Sequence, residues 1–407
     1  MNRSRPLSLL TFTFFAMLWL APGPVMAQKK PGVTYKYTLT DLLGFPDANY
    51  NQSQGQFITN RDSAGESLIL GISYTGTAGT SPNHPSPARW NIDADGKFPA
   101  NNPIDLGIPA LSRELEPVGL NQYGISVGRN RWANTQDDNG NWIFPSYVHV
   151  PGLPSPYQEL PGSANRNTFP SGINDAGTII GSLDVATPVD PTHPLGIKGE
   201  GAMWQVNVDL TVSQPLRLGN FFPYDINNYG VMAGKLSDYS YPVIGWFEGT
   251  TLKLKPMDPT PRFYGADVSA LNDYPLGDAR LAVVGNSYRN EAGQYDAADS
   301  QRGVVWRTGN AANPTTVLGT LGGNYSMALG VNRAEQIVGH SSGKRGGQFA
   351  FVYANGTMTN LNTITAVGDK NLQQAFDIND NGDIVGFMHI PRPISEQRGF
   401  LLRPITP

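Results

Sequence analysis

No cysteine occurs among the 407 residues. That excludes disulfides and thiolate metal sites, and leaves packing and hydrogen bonding to hold the fold. Charged residues are scarce at 15%, and no apolar pattern of helical period runs long enough to make an amphipathic helix. The 29 basic and 33 acidic residues nearly cancel, so the charge gives no basis for nucleic-acid binding. Histidine is sparse, and His84, His149, His193, His340 and His389 show no paired metal-ligand spacing. His84 and His193 fall in Pro-rich segments expected to be solvated, and His149 in a strand expected to be partly buried. Neither a P-loop nor a nucleophile elbow is present. Gly-rich stretches such as Gly319 to Gly323 lack the βαβ context that phosphate binding needs.

What is abundant is glycine, at 46 residues, and proline, at 33, a composition that fits a loop-rich all-β protein. Residues 1–27 read as a secretory signal peptide. Arg3 and Arg5 form its basic start, Leu7 to Leu20 its apolar run, and Val25-Met26-Ala27 its cleavage site. No second apolar span follows, so no transmembrane segment is expected after cleavage. The mature chain, 28–407, is expected in the periplasm or the medium.

A repeat organises that mature chain. A short apolar strand ends in Asn, and a few residues later another ends in Gly. The copies are Leu120-Asn121…Val127-Gly128, Ile173-Asn174…Ile180-Gly181 and Ile226-Asn227…Ala233-Gly234. They continue as Leu271-Asn272…Val284-Gly285, Val331-Asn332…Val338-Gly339 and Ile378-Asn379…Val385-Gly386. A degenerate first copy reads Ile58-Thr59-Asn60…Leu70-Gly71. Successive Asn positions lie 61, 53, 53, 45, 60 and 47 residues apart, a spacing in the range of propeller blades.

Each copy fits four strands. In the best-formed one, Ala328 to Asn332 and Gln336 to Gly339 are joined by a tight turn at Arg333-Ala334-Glu335. Phe349 to Tyr353 and Met358 to Leu361 follow, linked by Asn355-Gly356, a hairpin dipeptide whose two residues must both reach positive φ. Third strands carry a large apolar residue at Trp90, Val148, Trp204, Trp246 and Trp306, expected to share one position and pack between blades. The last copy has no fourth strand. A strand at residues 34–42 is expected to supply it and close the ring. The fold class is therefore all-β, a seven-bladed β-propeller of four-stranded blades.

Leu318-Gly319-Thr320-Leu321-Gly322-Gly323, followed by Val331-Asn332 and Phe349-Ala350-Phe351, resembles the repeat of the HAF extracellular repeat family. The pattern departs from the family in having no His-Ala-Phe triplet; Gln348-Phe349-Ala350-Phe351 comes nearest. The resemblance implies an exported bacterial repeat protein, and no catalytic residues come with it.

Long inserts between second and third strands, at Ser73 to Pro87, Arg129 to Ser146, Leu183 to Glu200 and Ser287 to Gln301, make their face the expected functional surface. Candidate ligand contacts are Arg131, Trp132 and Trp142, joined by Tyr239, Tyr241, Tyr288, Tyr295 and Asp296. Tryptophans among polar groups can stack on sugar rings, although Trp142 and Phe144 also fit an extended hairpin. Asn91 to Asn102 and Asp377 to Met388 imitate the start of a calcium loop. Both lack the closing Glu and read as turns, so no metal or cofactor is expected. The expected function is a non-enzymatic binding module for a glycan or peptide. The rival is an exported lyase or hydrolase using Tyr295, Asp296 and Asp299, and a purely structural matrix component is a third reading.

Overall fold

The computed structural model describes residues 37–45, 52–75, 84–99, 102–109, 112, 114–130, 135–136, 142–162, 167–186, 197–237, 241–257, 265–288, 301–309, 314–391 and 396–405. These form seven four-stranded antiparallel sheets, the blades, and one small hairpin. Blade 1 comprises Ser53–Ile58, Ser67–Thr75, His84–Ile92 and Ile104–Asp105. Blade 2 comprises Leu115–Leu120, Ser126–Asn130, Tyr147–His149 and Tyr157–Glu159, and blade 3 Thr168–Ile173, Thr178–Ala186, Ile197–Gln205 and Leu216–Gly219. Blade 4 is Phe221–Ile226, Met232–Leu236, Val243–Glu248 and Thr251–Pro256; blade 5 is Gly265–Leu271, Ala282–Tyr288, Gln301–Arg307 and Thr315–Val317. Blade 6 is Gly322–Val331, Ile337–Gly343, Gln348–Ala354 and Thr357–Asn360. Each blade's first strand contacts the first strand of the next, and that of blade 7 returns to blade 1. The result is a closed seven-bladed propeller.

Blade 7 is built from both parts of the chain. Asn371–Ile378, Ile384–Ile390 and Glu396–Pro404 are completed on the outside by Tyr37–Leu42, with Tyr37 opposite Pro404 and Leu42 opposite Gly399. The strand expected at 34–42 therefore closes the ring, its described part starting at Tyr37. Asp41 pins it by ion pairs to Lys370 (2.6 Å) and Arg398 (3.2 Å), while Tyr37 and Leu42 are buried. The Asn355-Gly356 turn has the expected backbone, with φ of 51° and 80°.

The two residues of the repeat have separate physical causes. Every first strand bulges just before the motif, as at Pro170/Gly172 and Ala328/Gly330. The bulge pushes a carbonyl toward the second strand. A Cβ on Gly181 would sit 2.2 Å from Phe169 O, and one on Gly339 1.9 Å from Met327 O. Only glycine fits there. The same clash recurs at Gly71, Gly234, Gly285 and Gly386, whereas at Gly128 the obstacle is the Leu115 side chain.

The Asn side chain works in two directions. Its Oδ1 accepts a backbone N–H from its own first-to-second turn, as Asn174 does from Thr178 (2.9 Å) and Asn332 from Gln336 (2.9 Å). Its Nδ2 then donates across the seam to the equivalent carbonyl of the next blade. Asn121 donates to Asn174 O (3.3 Å), Asn174 to Asn227 O (3.1 Å), and Asn227 to Asn272 O (3.0 Å). Asn332 donates to Asn379 O (3.0 Å) and Asn379 to Thr59 O (2.9 Å). These buried amides satisfy backbone groups that would otherwise be stranded at each strand end.

This register corrects the first copy. Thr59, not Asn60, holds the Asn position, because Thr59 Oγ1 accepts the Leu68 N–H and Thr59 O receives the Asn379 amide. The tryptophan expectation is corrected too. Trp90, Trp204 and Trp306 lie opposite Ile69, Ile179 and Val283 and pack against the preceding blade, each 1% exposed. The matching residues in blades 2 and 4 are His149 and Gly245, opposite Ser126 and Met232. Val148 and Trp246 sit one residue away, on the alternate face of their strands. At Gly245 the Phe221 ring fills the space, since a Cβ there would approach it to 2.7 Å.

Several inserts proved shorter than expected because their flanks are strand. Thr75 pairs with His84, Ala186 with Ile197, and Tyr288 with Gln301. Pro85 and Pro87 had suggested loop, yet both lie in the third strand of blade 1. The Pro87 carbonyl points to the outer side, accepting Leu106 N–H. Its nitrogen faces the same side, where the two-residue fourth strand demands few donors.

Candidate functional site

The first-to-second turns of all seven blades share one end of the ring, here the turn face. The channel opens there into a cavity of about 190 Å³, lined by residues of the motif from all seven blades. The residues after the motif positions form its rim: Asn60, Gln122, Asp175, Asn228, Asp273 and Asp380 line the cavity, and Arg333 bonds Asp273 beside them. Three carboxylates against one guanidinium make this rim net acidic.

The rim is fixed by its own hydrogen bonds. The Gln122 N–H donates to Asp175 Oδ1 (2.8 Å), that of Asp175 to Asn228 Oδ1 (2.8 Å), and that of Asn228 to Asp273 Oδ1 (2.9 Å). Arg333 N–H donates to Asp380 Oδ1 (2.8 Å) and Asp380 N–H to Asn60 Oδ1 (2.7 Å). The Arg333 guanidinium spans blades, bonding Asp273 at 2.8 Å and lying 5.6 Å from the Tyr274 ring centre, with Arg280 on that ring at 4.3 Å. Nearby carboxylates favour its charged form, while burial opposes it. Polar groups held in this way are fixed in position by the ring itself.

Two carboxylates lie deeper. Asp225 and Asp377 stand two residues before the motif Asn in blades 4 and 7, where other blades have Gly119, Gly172, Ala270, Gly330 and Phe57. Asp225 accepts N–H groups of Ile226 (2.8 Å) and, from blade 5, Leu271 (2.9 Å). Asp377 accepts those of Ile378 (2.8 Å) and, from blade 1, Ile58 (3.0 Å). Burial raises Asp225 to about 7 and Asp377 to about 6, opposed by these N–H bonds. The charge of Asp377 adds to the rise at Asp225.

Aromatic rings concentrate at this end. Among the described residues, the exposed large aromatic side chains are Tyr123 (62%), Tyr229 (52%) and Tyr224 (43%). Tyr123 and Tyr229, with the half-buried Tyr274, occupy the same turn position in blades 2, 4 and 5. Blade 3 carries the exposed Ala176 there. The sequence held this signal, as Tyr two residues after Asn in three copies, but turn chemistry accounted for the segments and the tyrosines went unremarked.

Most of the residues expected to bind are not among the described ones. Arg131, Trp132, Tyr239, Tyr295 and Asp296 fall outside the described residues, as does Asp299. Trp142 forms a two-residue hairpin, with Gln136 opposite it, and Phe144 N–H donates to Asn167 Oδ1 of the next blade (2.8 Å). Tyr288 ends the second strand of blade 5, and Tyr241 is half-buried ahead of Val243–Glu248. His149 is buried as expected, edge-on to Tyr157 at 5.1 Å; burial, helped by the charge of Arg89, lowers it to about 4. His340 is likewise lowered to about 4 by burial. Within the Asn91 to Asn102 segment, Asp93 to Lys97 form a turn whose Asp93 and Ala94 carbonyls accept from Arg403 (3.1 and 2.9 Å), so a cationic side chain already sits on them. Among the described residues, no helix is long and apolar enough to cross a membrane.

No protein-family model matches the chain, and no curated protein matches it. Among solved structures it is similar to YCF48 bound to D1 peptide, at 11% identity over 91% of this chain and 96% of that chain, TM-score 0.48. It is also similar to polysaccharide lyase Uly1, at 9% identity over 87% and 90%, TM-score 0.45. TolB from Acinetobacter baumannii is a third, at 12% identity over 83% and 80%, TM-score 0.40. The likeness concerns fold, and identities this low carry no residue's role across.

Proposed function

We propose that the chain is an exported, non-enzymatic recognition module for a polar ligand, a glycan or a peptide. The observation that supports it is the convergence of all seven blades on one polar cavity whose rim is fixed by hydrogen bonds between blades. A closed ring of this kind lowers the ordering cost of binding, because few side chains must be immobilised when the ligand arrives. Export rests on the leader-like residues 1–27 and on the resemblance to an exported repeat family.

The test is an array of immobilised glycans and peptides probed with residues 28–407. The Trp132→Ala/Trp142→Ala variant, run beside it, reports on the long-insert face. Saturable binding supports the module. Turnover of a polysaccharide without stable binding overturns it in favour of the exported enzyme.

A further inference from the structure

We infer that the turn face over blade 3, between Tyr123 and Tyr229, is a saccharide-binding notch selective for neutral or amino sugars. This inference rests on the recognition reading above and gives it a site and a ligand class. Three independent features converge there. First, the exposed aromatic rings of the described structure all belong to blades 2 and 4, on an inner strand or the turn that follows it. Isolated exposed rings are ordinary; here the two turn tyrosines, Tyr123 and Tyr229, stand at the same turn position on the blades that flank blade 3.

Second, the turn between them is cut back. Blade 3 presents exposed Ala176 where its neighbours present tyrosine. The Ala176 carbonyl is held by Gln205 Nε2 at 2.6 Å, and Gln205 also bonds Thr178. The gap is therefore a feature of a fixed turn.

Third, the floor supplies what a sugar's hydroxyls need. Asp175 Oδ1 and Oδ2 are oriented by Gln122 N–H and Asn228 Nδ2, both at 2.8 Å. Asn228 Nδ2 is itself shared with Asp273 at 3.3 Å. Each carboxylate oxygen keeps a second lone pair for a hydroxyl donor. Flat tyrosine faces pack against the C–H surfaces of a pyranose ring while fixed acceptors set its orientation. The rim's three carboxylates against Arg333 disfavour a uronate chain and tolerate a neutral or amine-bearing one.

The test uses residues 28–407 on an array of neutral, amino-sugar and polyuronate oligosaccharides together with peptides, with any saccharide bound then titrated in solution. The variants are Tyr123→Ala/Tyr229→Ala, Tyr123→Phe/Tyr229→Phe and Ala176→Trp. All three alter exposed side chains, so circular dichroism should show the wild-type fold. The expected result is binding of a neutral or amino sugar, weakened about tenfold or more by the alanine pair. The phenylalanine pair, which keeps both ring faces, should bind within a few fold of wild type. Ala176→Trp, which fills the gap, should abolish binding.

Saccharide binding unaffected by the alanine pair, or lost only in Trp132→Ala/Trp142→Ala, overturns the notch and leaves the recognition module standing. Preference for polyuronates, or binding of peptides alone, does the same. An array blank for every ligand removes both readings.

Discussion

Six of the seven seams between blades share an apolar filling, and the one between blades 1 and 2 is polar. Among the described residues, each of the six holds a buried apolar cluster. At the seam of blades 1 and 2, His149 replaces the inter-blade tryptophan and Thr59 replaces the relay Asn. Gln122 Nε2 bridges instead to Asn60 O (2.8 Å), and Tyr157 OH to Gly107 O (3.0 Å). A cavity of about 10 Å³, bordered by His149, Tyr157, Leu115 and Pro87, lies beside them. The Asn relay is interrupted at one further seam, between blades 5 and 6. There Asn272 donates to Arg280 O of its own turn (2.9 Å), and Arg333 makes the crossing.

Both interruptions accompany a longer first turn. Thr59 N–H pairs with Leu68 O, and Asn272 N–H with Ala282 O, whereas the other motif residues pair four residues on. At both seams a longer rim residue, Gln122 or Arg333, reaches across instead. The blade 5–6 seam also lacks the indole, with Tyr353 opposite Ile337, but it keeps a buried apolar cluster; at the blade 1–2 seam the polar bridges stand in its place.

The largest effect should come from breaking closure itself. Deleting residues 28–44 removes the outer strand of blade 7 and exposes the edge of Glu396–Pro404. Loss of any cooperative thermal transition is expected; a sharp transition in the truncated chain would sink the closure argument. Next, Asn379→Ala at an intact seam should cost about 2–3 kcal/mol in urea unfolding, since its amide serves Thr59 O, Asn381 N–H and Asp383 N–H. Asn272→Ala, whose bonds stay in one blade, should cost about 1 kcal/mol less. Equal costs would show that crossing the seam adds nothing.

Acidity separates the seams in opposite directions. His149 has a folded value of about 4 against 6.5. The stability it contributes is therefore present above 6.5 and is lost as pH falls through 4. His149→Phe should flatten the fall in Tm between pH 6.5 and 4, leaving the matching contribution of His340. Asp225 and Asp377 are raised from 3.8 to about 7 and about 6. Their contribution is complete below 3.8 and lost as pH rises through 6 and 7. The Tm of Asp225→Asn/Asp377→Asn, measured relative to wild type, should therefore rise by a few degrees between pH 5 and 8. A constant difference would mean the carboxyls titrate normally. The smallest effect is a repair: Thr59→Asn should add about 0.5–1 kcal/mol if its amide reaches Asn121 O. No gain would show that the long turn holds position 59 out of reach.

Much of this was legible in the sequence, through the spacing of Asn and Gly, the Asn355-Gly356 hairpin and the orphan strand ending at Leu42. The misreadings were local. Asn60 carries the motif's side chain, but backbone register puts Thr59 at the motif position. Val148 and Trp246 were aligned by size, although a one-residue slip reverses the face of a strand. Pro85 and Pro87 suggested a loop because a sequence does not show which side of a strand needs its donors. At the candidate site, Asp175 and Asp380 lie in segments that turn chemistry explains one at a time, so nothing local marks them as one rim.

What the sequence determined by itself was the repeating unit, the blade count and the source of the closing strand. Each is set by periodicity, turn chemistry and the pairing demands of backbone groups, which act over a few residues. Only the tertiary structure decided the rest: which seam is polar, why glycine is obligatory opposite the bulge, and that side chains some fifty residues apart form one continuous rim. Those outcomes depend on ring closure, which brings equivalent residues of successive blades within hydrogen-bonding distance, and no local pattern encodes that juxtaposition.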